Sequence, residues 1–116
     1  MGAPVKAEVA IEAVAALDIR VGTIVAVGDV PGSGKLVRLE VDFGDFRRTI
    51  LAGMKNERED PHEVEGRQAL FVVNLAPRTM AGVVSEGMLF DLGYEDGITP
   101  VLAVPETPVP DGVRAG

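Results

Sequence analysis

The chain has 116 residues, 47% of them hydrophobic, which fits one domain with a packed core and leaves no room for separate binding and catalytic domains. It contains no cysteine, which excludes disulfides, thiolate zinc sites and cysteine nucleophiles. The formal net charge of -7, from 11 Lys and Arg against 18 Asp and Glu, argues against nucleic acid on electrostatics alone, because phosphate binding draws its affinity from basic side chains.

The start of the chain predicts neither a membrane anchor nor a secretory signal. No apolar run reaches the roughly 18 residues needed to span a bilayer. Glu8 and Glu12 interrupt the apolar N-terminal stretch, and no basic segment precedes it. We therefore expect a cytoplasmic protein with no membrane partner. Residues 1–10 are expected to form a flexible tail, or an added strand, ahead of a short helix over residues 11–17.

A succession of short strands follows this helix. Alternating polarity predicts strands over residues 19–27 and 37–43, and a turn over 43–46 leads into a third strand over 47–52. Residues 68–73 are apolar on both faces, as expected of a central strand. Two further strands, joined by a turn at 95–97, are predicted near the end of the chain, over residues 87–93 and 98–104.

One short helix is predicted between the third and fourth strands. Asp60 suits the N-cap and Pro61 the first helical position, while Glu63 suits the reciprocal acid of a capping box. Gly66 suits the C-terminal stop. Five or more short strands with one interposed helix describe a small closed barrel, in which Gly22 permits the coiling that closure requires. The sequence therefore predicts an all-β, five-stranded OB-fold barrel with short helices.

The glycine-rich segment over residues 28–36 does not fit a nucleotide-binding P-loop. Five residues separate Gly28 from Gly34 where that loop has four, and Leu36 stands where a Ser or Thr would reach magnesium. The segment instead predicts a hairpin loop with Lys35 at its tip, where a lysine can meet a phosphate as a point charge.

The chain has few residues in patterns suited to metal binding or to catalysis. His62, the only histidine, lies in an acidic connector whose spacing matches no EF-hand, zinc or facial-triad pattern. Neither Ser33 nor Ser85 lies in a nucleophile-elbow pattern. We therefore expect a protein that is not an enzyme, with no catalytic residues, no metal and no cofactor.

Eight segments of this chain resemble the tRNA-binding-domain family, and they occur in the family's order between residue 11 and about residue 114. That domain occurs as a free-standing structure-specific tRNA-binding protein, as an appendix of methionyl-tRNA synthetases, and as the export-related chaperone CsaA. Each segment alone is a weak signal, but together they are a strong one. The segments are LDIRVGTIV (17–25), KL (35–36), VDFG (41–44), RTILAG (48–53), GR (66–67), VNLAPR (73–78), MAG (80–82) and SEGML (85–89).

The resemblance implies an OB barrel over residues 11–116 whose N-terminal helix and C-terminal extension form the interface of a homodimer. It also implies a tRNA-binding groove. In this groove, Lys35 and Arg78 would meet phosphates, while Asn74 and Ser85 would meet sugar or base edges. Purely structural roles are the alternative for two of these residues, since Asn74 can satisfy backbone groups at a strand end and Ser85 can cap a turn. The implied groove residues are Lys35, Asn74, Arg78, Ser85, Glu86 and Met88.

Three functions follow as expectations. The first is binding of tRNA, with no DNA partner, by shape and phosphate contacts more than by base stacking, because the chain has no Trp, one Tyr and four Phe. It predicts a basic patch drawn from Lys35, Arg38, Arg47, Arg48, Lys55 and Arg78. The second is a chaperone that binds extended polypeptide through Met80, Val83, Val84 and Met88. The third is an accessory module for an aminoacyl-tRNA synthetase.

Overall fold

The computed structural model describes residues 2–116, and these residues are mostly β-structure. One helix, α1 (Ile11–Ala15), precedes the strands, and two 3-10 turns lie at Pro61–Val64 and Tyr94–Asp96. The strands are β1 (Ile19–Asp29), β2 (Val37–Asp42), β3 (Arg47–Ala52), β4 (Gln68–Val72), β5 (Arg78–Met80), β6 (Val83–Ser85), β7 (Met88–Leu89), β8 (Asp91–Leu92), β9 (Val101–Leu102) and β10 (Arg114–Ala115).

Strand β1 is the long central element, and it pairs antiparallel with β2, β4 and β10. Its register with β2 shifts between Ile24 and Ala26, and such an irregularity bends a strand and increases its twist. Gly22 lies against the core, where a Cβ would come within 2.6 Å of Val41 Cγ1 and 2.7 Å of Phe43 Cε1. This close approach is the physical reason for a glycine in the middle of the strand.

The main sheet closes on itself into a barrel. Its strands run in the order β3-β2-β1-β4-β7, which leaves β3 and β7 at the two edges. The segment just before β7 bridges them, because the Glu86 N–H donates a 2.8 Å hydrogen bond to the Thr49 carbonyl on β3. The result is a nearly closed five-stranded barrel, which confirms the predicted OB-fold class.

The barrel interior is filled from every principal strand, and its fully buried side chains include Ile24, Leu39, Val41, Ile50 and Phe71. Val64, from the turn between β3 and β4, is also fully buried and packs into this core. The predicted helix here is a single 3-10 turn, with Asp60 as its N-cap accepting from the His62 N–H at 3.0 Å. Glu63 does not make the predicted reciprocal capping bond. It accepts instead from Arg58 Nη1 at 2.7 Å, because a charged guanidinium is the stronger donor.

The last strands are shorter than predicted, because the chain changes pairing partner at Phe90. Before it, β7 pairs with β4, and after it β8 pairs with β9. The hairpin β5–β6 was not predicted as strands at all. Its two-residue loop places Ala81 at φ 51° and Gly82 at φ 77°, where Asn-Gly or Asp-Gly is the usual sequence signal.

The C-terminal tail is tied to the barrel by side-chain and backbone bonds. Gln68 both donates to the Val109 carbonyl at 2.6 Å and accepts from its N–H at 3.1 Å. The Gly112 N–H donates to the Val21 carbonyl on β1 at 2.8 Å. By contrast, residues 2–10 form no helix or strand and are exposed. None of the helices in the described part of the chain has the length and apolar character needed to cross a membrane.

Candidate nucleic-acid interface

Ser85 lies where the segment before β7 meets β3 and closes the barrel, here called the barrel seam (residues 85–87 against β3), and not on an open surface. Its side chain is 3% exposed, its Oγ accepts a hydrogen bond from the Leu51 N–H at 3.0 Å, and its hydroxyl donates to the Gly87 carbonyl at 3.2 Å. Leu51 is on β3, where no neighbouring strand reaches this N–H. Ser85 therefore supplies with a side chain the hydrogen bond that a paired strand would give.

Glu86 and Gly87 extend the same seam. Glu86 Oε1 accepts from the Thr49 N–H at 3.2 Å, and the Glu86 carbonyl accepts from Arg48 Nη1 at 3.3 Å. A Cβ at Gly87 would lie 2.7 Å from the Val72 carbonyl oxygen and 3.0 Å from Ile50 Cδ1. The Ser-Glu-Gly motif thus joins β3 to β7, and its members already have partners within the chain.

Asn74 is exposed, but both ends of its amide are engaged. Its Oδ1 accepts from the Asp18 N–H at 2.8 Å, and its Nδ2 donates to the Ala16 carbonyl at 2.9 Å. The side chain therefore fixes the path of the chain from α1 into β1. This arrangement matches the alternative in which Asn74 satisfies backbone groups, and its role in RNA contact stays a prediction.

Lys35 and Arg78 present their charges to solvent, and among the described residues neither forms an ion pair. The stem of Lys35 lies over Gly53, just after β3, where a Cβ would come within 2.7 Å of Lys35 Cε. Arg78 is the register partner of Ser85, which binds Leu51. Lys35 therefore lies at the C-terminal end of β3, and Arg78 lies on the strand paired with Ser85, which contacts Leu51 near that end.

The other residues of the predicted basic patch are occupied. Arg48 Nη1 donates to the carbonyls of Val73 and Glu86, both at 3.3 Å. The remaining three form ion pairs: Arg38 with Glu40 (3.5 Å), Arg47 with Asp42 (3.6 Å), and Lys55 with Asp29. The basic surface of this acidic chain is therefore concentrated at fewer positions than the sequence predicted.

Aromatic side chains lie beside cationic groups at two places that the sequence patterns did not indicate. Phe46 stacks on Phe43, and the guanidiniums of Arg20 and Arg48 lie 5.6 and 5.1 Å from the centroid of its ring. Tyr94 is exposed, and Lys35 Nζ lies 5.6 Å from its ring centroid. A lone Tyr in an acidic turn gives no periodic signal, so only the fold brings it beside Lys35.

In the described part of the chain, three side-chain carboxyl groups have shifted pKa values, and the hydrogen bond from Lys55 lowers the pKa of Asp29. The hydrogen bond from Arg20 lowers the pKa of Asp18, more than partial burial raises it. Burial raises the pKa of Glu57, and the nearby charge of Asp91 adds to the rise.

Within residues 2–116, no three His, Cys, Asp or Glu side chains come together as metal ligands.

Apolar side chains are also exposed next to the seam. Val84 and Met88 are 48% and 43% exposed, whereas Met80 and Val83 are partly buried in or beside the β5–β6 hairpin. Half of the predicted polypeptide-binding set is therefore accessible.

An apolar groove of about 1250 Å³ runs between α1 and the outer face of the barrel, and its lining includes Ile11, Val14, Leu70, Phe90 and Ala103.

Comparison with known proteins places these features in context. The family model described as "Putative tRNA binding domain" matches residues 19–114. A methionine–tRNA ligase of Nitrosomonas europaea is 38% identical over 112 residues, which are 97% of this chain but only 16% of that ligase. The chain therefore spans a small part of the length of this curated relative.

Solved structures resemble the whole fold. The crystal structure of the MetRS-related protein of Pyrococcus horikoshii has a TM-score of 0.87 and 33% identity, covering 96% of this chain and 100% of that one. The chaperone CsaA of Bacillus anthracis has a TM-score of 0.81 and 31% identity, covering 95% of this chain and 100% of that one.

Proposed function

Because the chain belongs to the tRNA-binding domain family, we propose that it binds tRNA without catalysing a reaction. The observation that carries the proposal is the pair of exposed cations, Lys35 and Arg78, beside the C-terminal end of β3. Both are free to neutralise phosphates, in a chain whose other predicted patch cations are bound internally. The expected recognition is of backbone phosphates and RNA shape.

The net charge of -7 sets the expected strength of this binding. Each phosphate neutralised by a cation releases counterions, so the slope of log affinity against log salt measures the number of contacts, at about -0.7 to -0.9 per contact. With few unpaired cations on each copy, we expect a shallow slope and weak binding at physiological salt. A homodimer presents the site twice on one folded RNA, which raises the overall affinity.

The test is titration of purified protein with bulk tRNA across a salt series. Lys35→Ala and Arg78→Ala should each weaken binding roughly threefold to tenfold and reduce the salt slope by about 1. Arg67→Ala is the matched control, since Arg67 is an exposed arginine outside the predicted groove. Equal losses for Arg67→Ala and Arg78→Ala would reduce the interaction to non-specific charge attraction. Absence of binding at low salt would reject the proposal.

A second candidate function is binding of extended polypeptide, and it is favoured by the exposure of Val84 and Met88 beside the likeness to CsaA. Apolar contacts of this kind survive high salt, unlike phosphate contacts. Val84→Ser should then weaken binding of an unfolded model protein and leave tRNA affinity unchanged. A role as an accessory module for a synthetase is a third proposal, supported by the likeness to part of a methionine–tRNA ligase.

Homodimerisation is part of the proposed function. The apolar groove along α1 and the C-terminal residues, which include Val113, is the surface we expect a second copy to cover. The domain is then residues 11–116, with the C-terminal extension serving both barrel and interface. Sedimentation equilibrium of the wild-type chain gives the mass directly, and a monomer at every concentration would reject this part.

A further inference from the structure

Tyr94 is the only tyrosine of the chain, which has no tryptophan, and its side chain is 60% exposed. The four phenylalanines are all buried or partly buried. An exposed aromatic ring is a surface on which a nucleobase can stack, because every base has a π-face. Among residues 2–116, Tyr94 is therefore the aromatic ring most open to a ligand.

The ring of Tyr94 is carried by a short turn that is hydrogen-bonded at its base. Tyr94 begins the 3-10 turn between β8 and β9, and the flanking Gly93 and Gly97 have φ of 108° and 74°. The Gly93 carbonyl accepts from the N–H groups of Asp96 and Ile98, both at 3.1 Å. A Cβ at Gly93 would overlap the side chain of Ile98. Because the turn is fixed in this way, little conformational entropy is lost when a ligand packs on its ring.

A cation lies beside the ring, and its own backbone is held in place. Lys35 Nζ is 5.6 Å from the centroid of the Tyr94 ring, and the stem of Lys35 lies over Gly53. The Lys35 carbonyl accepts from the Lys55 N–H at 3.1 Å, and the Lys35 N–H donates to Ser33 Oγ at 3.3 Å. Single-stranded nucleic acid is bound by this combination, in which a ring takes a base and a cation takes the backbone.

The charges around the ring favour a base over other ligands. Glu95 and Asp96 belong to the same turn, and their carboxylates repel phosphates but not an uncharged base. A carboxylate can also accept a hydrogen bond from the amino group at a base edge. Lys35 already places a positive charge beside the ring, which disfavours a second cation such as an arginine of a polypeptide.

We propose that Tyr94 stacks on an unpaired base of the bound RNA while Lys35 meets the phosphate next to that base. The inference rests on the tRNA binding of the proposed function and adds a nucleobase contact to its phosphate contacts. A paired base has both faces covered by its neighbours in the helix, so the ring selects a base in a loop, in a bulge or at an end of the RNA.

The single tyrosine permits a spectroscopic test, because stacking on a base quenches tyrosine fluorescence and the chain has no tryptophan. The protein is titrated with a short oligoadenylate and with the same ribose–phosphate chain lacking its bases, with correction for absorbance by the RNA. We expect a loss of emission that saturates with binding of the oligoadenylate and is absent with the chain without bases. The matched control combines Tyr94→Phe with Thr107→Tyr, which moves the tyrosine to an exposed position on the C-terminal tail, and should not be quenched.

Affinity measurements separate stacking from a role in positioning Lys35. Tyr94→Leu should weaken oligoadenylate binding about fivefold or more and leave the salt slope unchanged, whereas Tyr94→Phe, which keeps the ring, should bind nearly as wild type does. If Tyr94 only positioned Lys35, Tyr94→Leu would reduce the salt slope as Lys35→Ala does. That result would overturn the inference.

Two fluorescence results would overturn it as well: unchanged emission at saturating oligoadenylate, or equal quenching by the chain without bases. In either case, wild-type protein that binds tRNA with a salt-dependent affinity would leave the proposed function standing. Absence of tRNA binding at low salt would reject the proposed function and the stacking contact together.

Discussion

The barrel seam and the solvent-facing end of β3 lie next to each other, yet the predicted groove residues in the seam are bonded to the backbone while those at the strand end are exposed. In the seam, Ser85 and Glu86 bond to the backbone of β3. At the end of the strand, Lys35 and Arg78 carry charges with no ion-pair partner among residues 2–116. Residues that the family resemblance assigns to one groove therefore divide into those that build the surface and those whose charges face solvent.

This difference has a consequence for mutagenesis. Loss of tRNA binding on substitution of a seam residue has two possible causes, an opened barrel or a lost contact, whereas loss at Lys35 or Arg78 has one. Stability and affinity must therefore be measured on the same variant before a residue is assigned to the interface.

The largest effect is expected for Ser85→Ala. It leaves the buried N–H of Leu51 without an acceptor, which should lower the free energy of unfolding by about 1–3 kcal/mol. Urea denaturation measures this change, and Thr79→Ala, on the exposed β5 strand, is the control that should stay within about 0.5 kcal/mol of wild type. If Ser85→Ala were as stable as wild type but failed to bind tRNA, the division between seam and surface would be wrong.

A smaller effect is expected at Asn74, because water can replace part of what an exposed amide supplies. Asn74→Ala should cost about 1 kcal/mol and speed hydrogen exchange at the Asp18 N–H. Asn74→Asp keeps the acceptor for that N–H but loses the donor to Ala16, so its Asp18 exchange should stay closer to wild type. Unchanged exchange together with weaker tRNA binding in both variants would place Asn74 with the surface residues instead.

The sequence predicted the barrel well because the polarity pattern along its strands and the packing of its core point to the same fold. Alternating polarity marked β1 and β2, and the boundaries of β3 were predicted to the residue. Gly22 was expected to permit coiling, and the structure places it against Val41 and Phe43 where no Cβ fits. Local pattern and global packing agree in these elements, which is the condition under which pattern alone is informative.

The surface was less predictable because its properties depend on which side chains pair, and a polarity pattern marks neither the local nor the distant pairs. Arg38 and Arg47 were expected in a basic patch, but each pairs with an acid on the same strand or across the hairpin. The engagement of Asn74 depends on Ala16 and Asp18, more than fifty residues away. No local pattern marks a long-range side-chain bond, so the chemistry of the site follows only from the fold.

The smallest expected effect concerns Glu57, close to Lys35 at the solvent-facing end of β3. Burial raises the pKa of this carboxyl, Asp91 raises it further, and Lys35 and Arg58 oppose the rise. A raised folded-state pKa contributes stability that is fully present below the unfolded-state value of about 4.3 and is lost as pH rises through the folded-state value. Asp18, whose pKa is lowered by Arg20, acts in the opposite direction, since its contribution is lost as pH falls.

Glu57→Gln removes this titration and should therefore raise the urea midpoint slightly at pH 7 and leave it unchanged at pH 4, where wild-type Glu57 is already largely protonated. Glu59→Gln, at an exposed neighbour in the same connector, is the control for the loss of one surface charge. The tRNA titration adds a sharper comparison, because removing a negative charge near Lys35 should strengthen binding modestly at low salt. A stronger effect of Glu59→Gln than of Glu57→Gln on that affinity would move the phosphate contact away from Lys35.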